Sequence, residues 1–127
     1  MSKFGMAESE QLRKLRLLRY VEEMILHPEV ARLSQTLEAM VALLKQHGNE
    51  GWAEQIERCR SNIARSDFHG IERLLRLYGG MGSLNDVVLQ AGRSAPVEAN
   101  GRFDALRSSA WEQAQALARG QSSVNGN

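Results

Sequence analysis

Cysteine is almost missing from this chain. Cys59 stands alone in 127 residues, so no internal disulfide can form. That usage fits a reducing compartment. Proline is scarce too, with only Pro28 and Pro96. With so few helix breakers, abundant Leu, Ala, Glu, Arg and Gln favour helix. No apolar run approaches the roughly 18 residues needed to cross a bilayer. The opening Met1-Ser2-Lys3-Phe4-Gly5-Met6 leads into charged sequence rather than an apolar signal core. The expected location is the cytoplasm, with no membrane partner. Charge of one sign is also lacking. A formal net charge of +1 gives neither the basic excess of a nucleic-acid binder nor the acidity of a nucleic-acid mimic. No nucleic-acid partner is expected.

What is present is the composition of a globular domain, 43% hydrophobic and 24% charged. A chain of this length forms one domain and buries roughly two-thirds of its unfolded surface. We expect a single helical domain over 1–120 and a mobile polar tail over 121–127. The fold class is all-α, a bundle of five to six helices.

The apolar spacings divide the chain. A first helix from Glu8 to Leu26, capped by Ser2 or Ser9, carries Leu12, Leu15, Leu18, Val21 and Ile25 as one stripe. His27-Pro28 ends it, because the residue before proline is pushed out of the α region. Pro28 then suits the first turn of a second helix. That helix buries Val30, Leu33, Leu37, Met40, Val41 and Leu44 and closes at Gly48. The first two helices are expected to pack as an antiparallel hairpin. Asn49 can cap a third helix with the stripe Trp52, Ile56, Cys59 and Ile63. A fourth begins at Ser66 or Asp67, turns Ile71, Leu74, Leu75 and Tyr78 inward, and ends at Gly79. Gly70 weakens its first turn. Ser83 with Asp86 resembles a capping box, which predicts a short helix from Leu84 to Gln90. Val87-Val88-Leu89 has strand propensity but no second strand to pair with. Residues 91–99 read as loop. Asn100 is expected to cap a last helix through Phe103, Leu106, Trp111, Ala114 and Leu117, closed by Gly120.

One octet breaks this pattern: Gly79-Gly80-Met81-Gly82-Ser83-Leu84-Asn85-Asp86. Three glycines in four residues sacrifice side-chain burial and backbone entropy. Three readings account for them. Successive N–H groups before a helix make an anion nest. That reading lacks a P-loop lysine and a preceding strand, and Asp86 would repel the anion. Alternatively, the glycines make a tight corner whose Met81 plugs the core. In the third reading the corner presents Met81, Asn85 and Asp86 to another macromolecule.

Other candidates are weaker. Arg13, Lys14, Arg16 and Arg19 form a basic block diluted by Glu8, Glu10, Glu22 and Glu23; a solvated face is the favoured reading. His27, His47 and His69 lack metal-site spacing, and Cys59 lies on an apolar stripe. No metal and no cofactor is expected, and no catalytic group stands out. Trp52 and Trp111 lie on apolar stripes and read as core. Glu50, Glu54 and Glu57 share one helix side and form a second candidate patch.

The stretch from Leu77 to Leu89 resembles a family of small bacterial proteins of unknown function that share Gly-Gly-Met-Gly-Ser-(Leu or Phe)-Asn-Asp. The tryptophan-bearing helix upstream and the segment from Phe68 to Leu75 are similar as well. The resemblance covers about the middle third of the chain. Some small helical proteins of this kind resemble immunity proteins that neutralise interbacterial toxins, which implies a binding role.

Three functions follow as expectations. The first is a cytoplasmic protein-binding module, an immunity protein that occludes a toxin and is no enzyme. Its contact residues are Gly80, Met81, Gly82, Ser83, Asn85 and Asp86, with Glu50, Glu54 and Glu57 as the second patch. The second is a small phosphate- or nucleotide-handling enzyme using the turn from Gly79 to Asp86. The third is a nucleic-acid or membrane-surface adaptor using the first helix. Self-association stays open, with Leu17 and Val88 as off-stripe apolar positions.

Overall fold

A computed structural model describes residues 10–18, 27–92 and 95–125, the last five of these as backbone only. It contains α1 (residues 10–18), α2 (Pro28–Gln46), α3 (Glu50–Ala64), α4 (His69–Arg76), a 3-10 turn (Leu84–Asp86) and α5 (Val97–Asn125). Among the described residues no β-strand is present, so the fold is an all-α bundle. The expected start at Glu8, its Ser2 or Ser9 cap, and the stripe positions Val21 and Ile25 lie outside the described residues.

The middle of the chain follows its apolar pattern. Val30, Leu33, Leu37, Met40, Val41 and Leu44 of α2 are all buried. Pro28 occupies the first turn, where its missing N–H is no loss. The helix ends in a Schellman motif. Gly48 takes φ +74°, its N–H donates to the Lys45 carbonyl at 3.1 Å, and the Asn49 N–H donates to the Leu44 carbonyl at 2.8 Å. Asn49 at once caps α3, its side chain accepting from the Trp52 N–H at 3.3 Å. This short link makes α2 and α3 a helical hairpin.

The end of α3 repeats the device without glycine. Ser66 sits at φ +62°, its N–H donates to the Ile63 carbonyl at 2.9 Å, and the Asp67 N–H donates to the Asn62 carbonyl at 2.9 Å. The Asp67 carboxylate then accepts from the His69 N–H at 3.1 Å, so α4 begins at His69. Gly70 belongs to this junction for a steric reason. A Cβ there would meet the Asn62 Cβ at 2.8 Å and the Cys59 carbonyl oxygen at 3.0 Å. Its cost to the helix is the condition for α4 to lie close against α3.

α2 packs on α3 and α5, and α4 packs on α3 and α5, so four helices close a ring around one core. Ile56, Cys59, Ile63, Leu74, Leu84, Leu89 and Phe103 fill it. Ala110 and Ala114 of α5 are fully buried, small enough to admit a close helix approach. The Thr36 hydroxyl donates to the Gln113 side-chain oxygen at 2.9 Å and ties α2 to α5.

Four expectations need correction. The leucine stripe of α1 is not buried: Leu12, Leu15 and Leu18 are 58%, 62% and 64% exposed, and the off-stripe Leu17 is 61% exposed. No α1–α2 packing covers that face among the described residues. The helix expected from Leu84 to Gln90 shrinks to the 3-10 turn Leu84–Asp86. Beyond it the chain is extended, with Val87 and Leu89 buried and Val88 exposed, the two-residue alternation of a strand. β-branched side chains favour that conformation. Asn100 supplies the missing pairing partner. Its Oδ1 accepts from the Leu89 N–H at 2.7 Å and its Nδ2 donates to the Leu89 carbonyl at 3.1 Å. Asn100 is therefore no helix cap; α5 already begins at Val97, after Pro96. Finally, α5 continues past Gly120 to Asn125.

Candidate functional site

The glycine corner links α4 to the 3-10 turn. Gly79, Gly80 and Gly82 take φ values of +91°, +82° and +75°. A Cβ at any of the three would meet nothing within 4 Å. The glycines are there for backbone conformation, and nothing fills the space where their side chains would be. At the apex Met81 is 97% exposed, so the reading in which it plugs the core is overturned. Gly80, Asn85 and Asp86 are exposed beside it, and Ser83 is half-buried.

The corner is braced from within. The Leu84 N–H donates to the Leu77 carbonyl at 2.8 Å, closing the loop at its neck. The Gly82 N–H donates to the Asp86 carboxylate at 2.7 Å, and the Asn85 N–H donates to the Ser83 hydroxyl at 3.3 Å. Leu84 is fully buried and pins the turn to the core. The nest imagined for a phosphate thus already gives one N–H to a carboxylate of this chain. An entering anion would meet that negative charge.

α5 braces the corner from outside. Arg107 has a side chain only 14% exposed. Its Nη1 donates to the Leu84 carbonyl at 3.0 Å and to the Val87 carbonyl at 3.1 Å. Its Nη2 donates to the Asp104 carboxylate at 2.5 Å, and the guanidinium carbon stands 5.4 Å from the Phe103 ring centre. The Val87 carbonyl just past the 3-10 turn is satisfied in this way, and the Leu84 carbonyl, which accepts from the Val87 N–H at 3.3 Å, gains a second donor. In return, the Tyr78 hydroxyl donates to the Arg107 carbonyl at 2.6 Å. Burial pushes the Tyr78 pKa well above its ordinary value, against the opposing pull of the Arg107 charge.

Between corner and helix lies a groove of about 500 Å³, bounded by Tyr78, Gly79 and Asn85 on one side and by Asp104, Trp111 and Glu112 on the other. Trp111 is half-buried here, its ring centre 4.9 Å from that of Tyr78 and tilted by 48°. The core reading therefore holds for Trp52, which packs against the core, and fails for Trp111, which lines the groove.

The second patch lies elsewhere. Glu50, Glu54 and Glu57 line one face of α3, in a depression of about 450 Å³ that also includes Lys45 and Arg58. Glu54 pairs with Arg58 at 2.7 Å, and Glu57 pairs with Arg60 at 2.5 Å. The hydrogen bond from Arg60 holds the Glu57 carboxyl below its ordinary pKa. Two of the three acids are thus balanced by neighbours, and the face is mixed in charge. The structure does not join this patch to the glycine corner.

Two residues that matter here escaped sequence reasoning, Arg107 and Asn100. Arg107 had a signal: one cation among Phe103, Leu106, Ala110, Trp111 and Ala114, with Asp104 three residues earlier. Such a placement calls for buried acceptors. Asn100 looked like a cap because it follows loop sequence.

Among the described residues, no His, Cys, Asp and Glu side chains gather in a metal-binding group, and no helix is long and apolar enough to cross a membrane. Cys59 is fully buried, and burial pushes its thiol up to about 11, against an opposing effect of Arg73. A nucleophile needs the opposite shift. No curated protein and no solved structure matches the chain. A family model described as a domain of unknown function (DUF6966) matches residues 45–98, which take in α3, α4 and the whole glycine corner.

Proposed function

We propose that this chain is a protein-binding module, an immunity protein that acts in the cytoplasm and neutralises an interbacterial toxin by covering it. One observation carries the reading: Met81, a large apolar side chain, stands 97% exposed on a corner held by internal and α5 hydrogen bonds. A hydrophobic side chain held outward on a rigid turn loses little conformational freedom on binding, which makes it a good anchor. Gly80 and Gly82 leave open space for a partner's backbone, and Asn85 and Asp86 offer a polar rim. The mechanism is occlusion, with no bond made or broken. A stable complex of this kind buries roughly 1,200–2,000 Å² in total.

The phosphate-handling alternative draws no support from the turn, where Asp86 takes the Gly82 N–H. The test is co-purification with the product of the gene adjacent to that encoding this chain. The expected result is a stable complex that Met81→Asp weakens at least about 30-fold, the scale of a central anchor. No complex, together with unharmed cells when this protein is deleted beside its neighbour, overturns the proposal.

A further inference from the structure

The groove beside the corner has a chemistry of its own. Resting on the binding reading above, we infer that it receives a guanidinium group, an arginine side chain of the partner. The charges point that way. Arg107, the only cation among the described residues of the lining, spends its donors on the Leu84 and Val87 carbonyls and on Asp104. Asp104 is 67% exposed and meets Arg107 through one carboxylate oxygen. Glu112 is exposed and has no ion pair with any described residue. The groove therefore holds two carboxylates against one internally bonded cation.

The spacing adds to this. Asp104, Ser108, Trp111 and Glu112 follow one another at four, three and one residues on α5, so they line a single helix face. Trp111 supplies an aromatic surface on that face, with Tyr78 tilted against it. A planar cation can stack on the indole while donating to a carboxylate beside it. A carboxylate ligand would be repelled, and a neutral one would leave Glu112 unpaired. The groove opens beside Gly79, two residues from Met81, so one partner segment can place an apolar contact on Met81 and a basic side chain in the groove.

The test uses the full chain and the peptide Ac-Gly-Arg-Gly-amide, compared with the isosteric neutral citrulline peptide and with Ac-Gly-Glu-Gly-amide. The indole N–H signals of Trp111 and Trp52 are followed by NMR, Trp52 serving as the internal reference. The arginine peptide is expected to shift Trp111 saturably, with a Kd on the order of millimolar for one cation–π and ion-pair contact. Trp52 should not move. Glu112→Gln should weaken binding about 3- to 10-fold and Glu112→Lys should abolish it; Glu112 is exposed, so both variants keep the fold, as the same spectra show. Any other pattern overturns the inference: no saturable Trp111 shift, an equal response to citrulline, or unchanged binding in Glu112→Gln. Failure here leaves the Met81 co-purification result untouched, so the two proposals fall separately.

Discussion

Tyr78 and Arg107 fasten the glycine corner from opposite directions. The Tyr78 hydroxyl holds the backbone of α5 at 2.6 Å, while the Arg107 side chain holds the backbone carbonyls of Leu84 and Val87 at 3.0 and 3.1 Å. The corner is rigid because each element satisfies the other's main-chain groups. Arg107→Met should remove these two charge-assisted bonds and that to Asp104, leaving the Val87 carbonyl partly buried and open and the Leu84 carbonyl with only the Val87 N–H at 3.3 Å. The expected loss is about 2–4 kcal/mol in urea unfolding. Amide exchange should quicken first at Leu84 and Val87, because local opening precedes global unfolding.

The α3–α4 junction carries two backbone tests of opposite sign. Ser66 is held at φ +62° with a Cβ in the left-handed region, a strained state for an L residue. Ser66→Gly should stabilise the fold by about 0.5–1 kcal/mol. Gly70 has an ordinary φ but no room, with the Asn62 Cβ 2.8 Å from where its own would sit. Gly70→Ala should cost about 1–3 kcal/mol through overpacking. Chemical denaturation of the two variants separates conformation from space. A stabilised Gly70→Ala variant would mean that α3 and α4 do not lie this close.

Alkaline pH should weaken the fold through Tyr78 and Cys59. Burial raises both pKa values in the native state, that of Cys59 from 9.0 to about 11. A raised native pKa means the folded state holds its proton longer. That stability is complete below the unfolded-state pKa and disappears as pH rises through the folded one. Thermal stability should therefore fall from about pH 9 to pH 11 through Cys59, and above pH 10.0 through Tyr78. Tyr78→Phe should lower stability at neutral pH by about 1 kcal/mol for the lost hydrogen bond, yet flatten the alkaline decline. On the acid side, Arg60 depresses the Glu57 pKa, so that contribution is present above 4.5 and lost as pH falls below it. With the Glu57 side chain 41% exposed, it amounts to about 0.5 kcal/mol or less.

The exposed leucines of α1 give a direct contrast with the core. Replacing Leu12, Leu15 and Leu18 together by Glu should leave the melting midpoint nearly unchanged, since each is more than half exposed. Leu37→Ala should cost about 2–5 kcal/mol, since Leu37 is fully buried. The pair also shows what the sequence could and could not reveal. A stripe at helical spacing identifies the face that would be buried; it does not supply the surface that buries it. On α2 and α3 the surface exists, and the stripes match the packed faces down to Gly48 and Asn49. On α1 it does not among the described residues. Val87 to Leu89 departs from its expected helix for a related reason. Local sequence offers no second strand, whereas a single amide side chain, Asn100, pairs with Leu89 in its place. At the site, the need for positive φ was legible in the glycines. Arg107 and the Trp111 groove were not, because they depend on how α5 crosses the corner, a long-range relationship absent from local spacing.

The glycines allow a test that separates stability from recognition at a single atom. At Gly80 the backbone takes φ +82° and a Cβ would touch nothing within 4 Å. An L-alanine there should cost about 1–2 kcal/mol from conformation alone. A D-alanine, introduced by semisynthesis, finds the same φ natural and removes glycine's excess freedom in the unfolded chain. It should stabilise the fold by about 0.4–1 kcal/mol. If the glycine is there only to make the turn, partner binding should be unchanged in the D-alanine protein. If a partner's backbone lies against Gly80, the added methyl group should weaken the complex at least about 10-fold while the fold grows more stable. Gains in stability and losses in affinity move in opposite directions only when bare backbone is itself part of the contact surface, and calorimetric unfolding beside a binding titration reads both from one preparation.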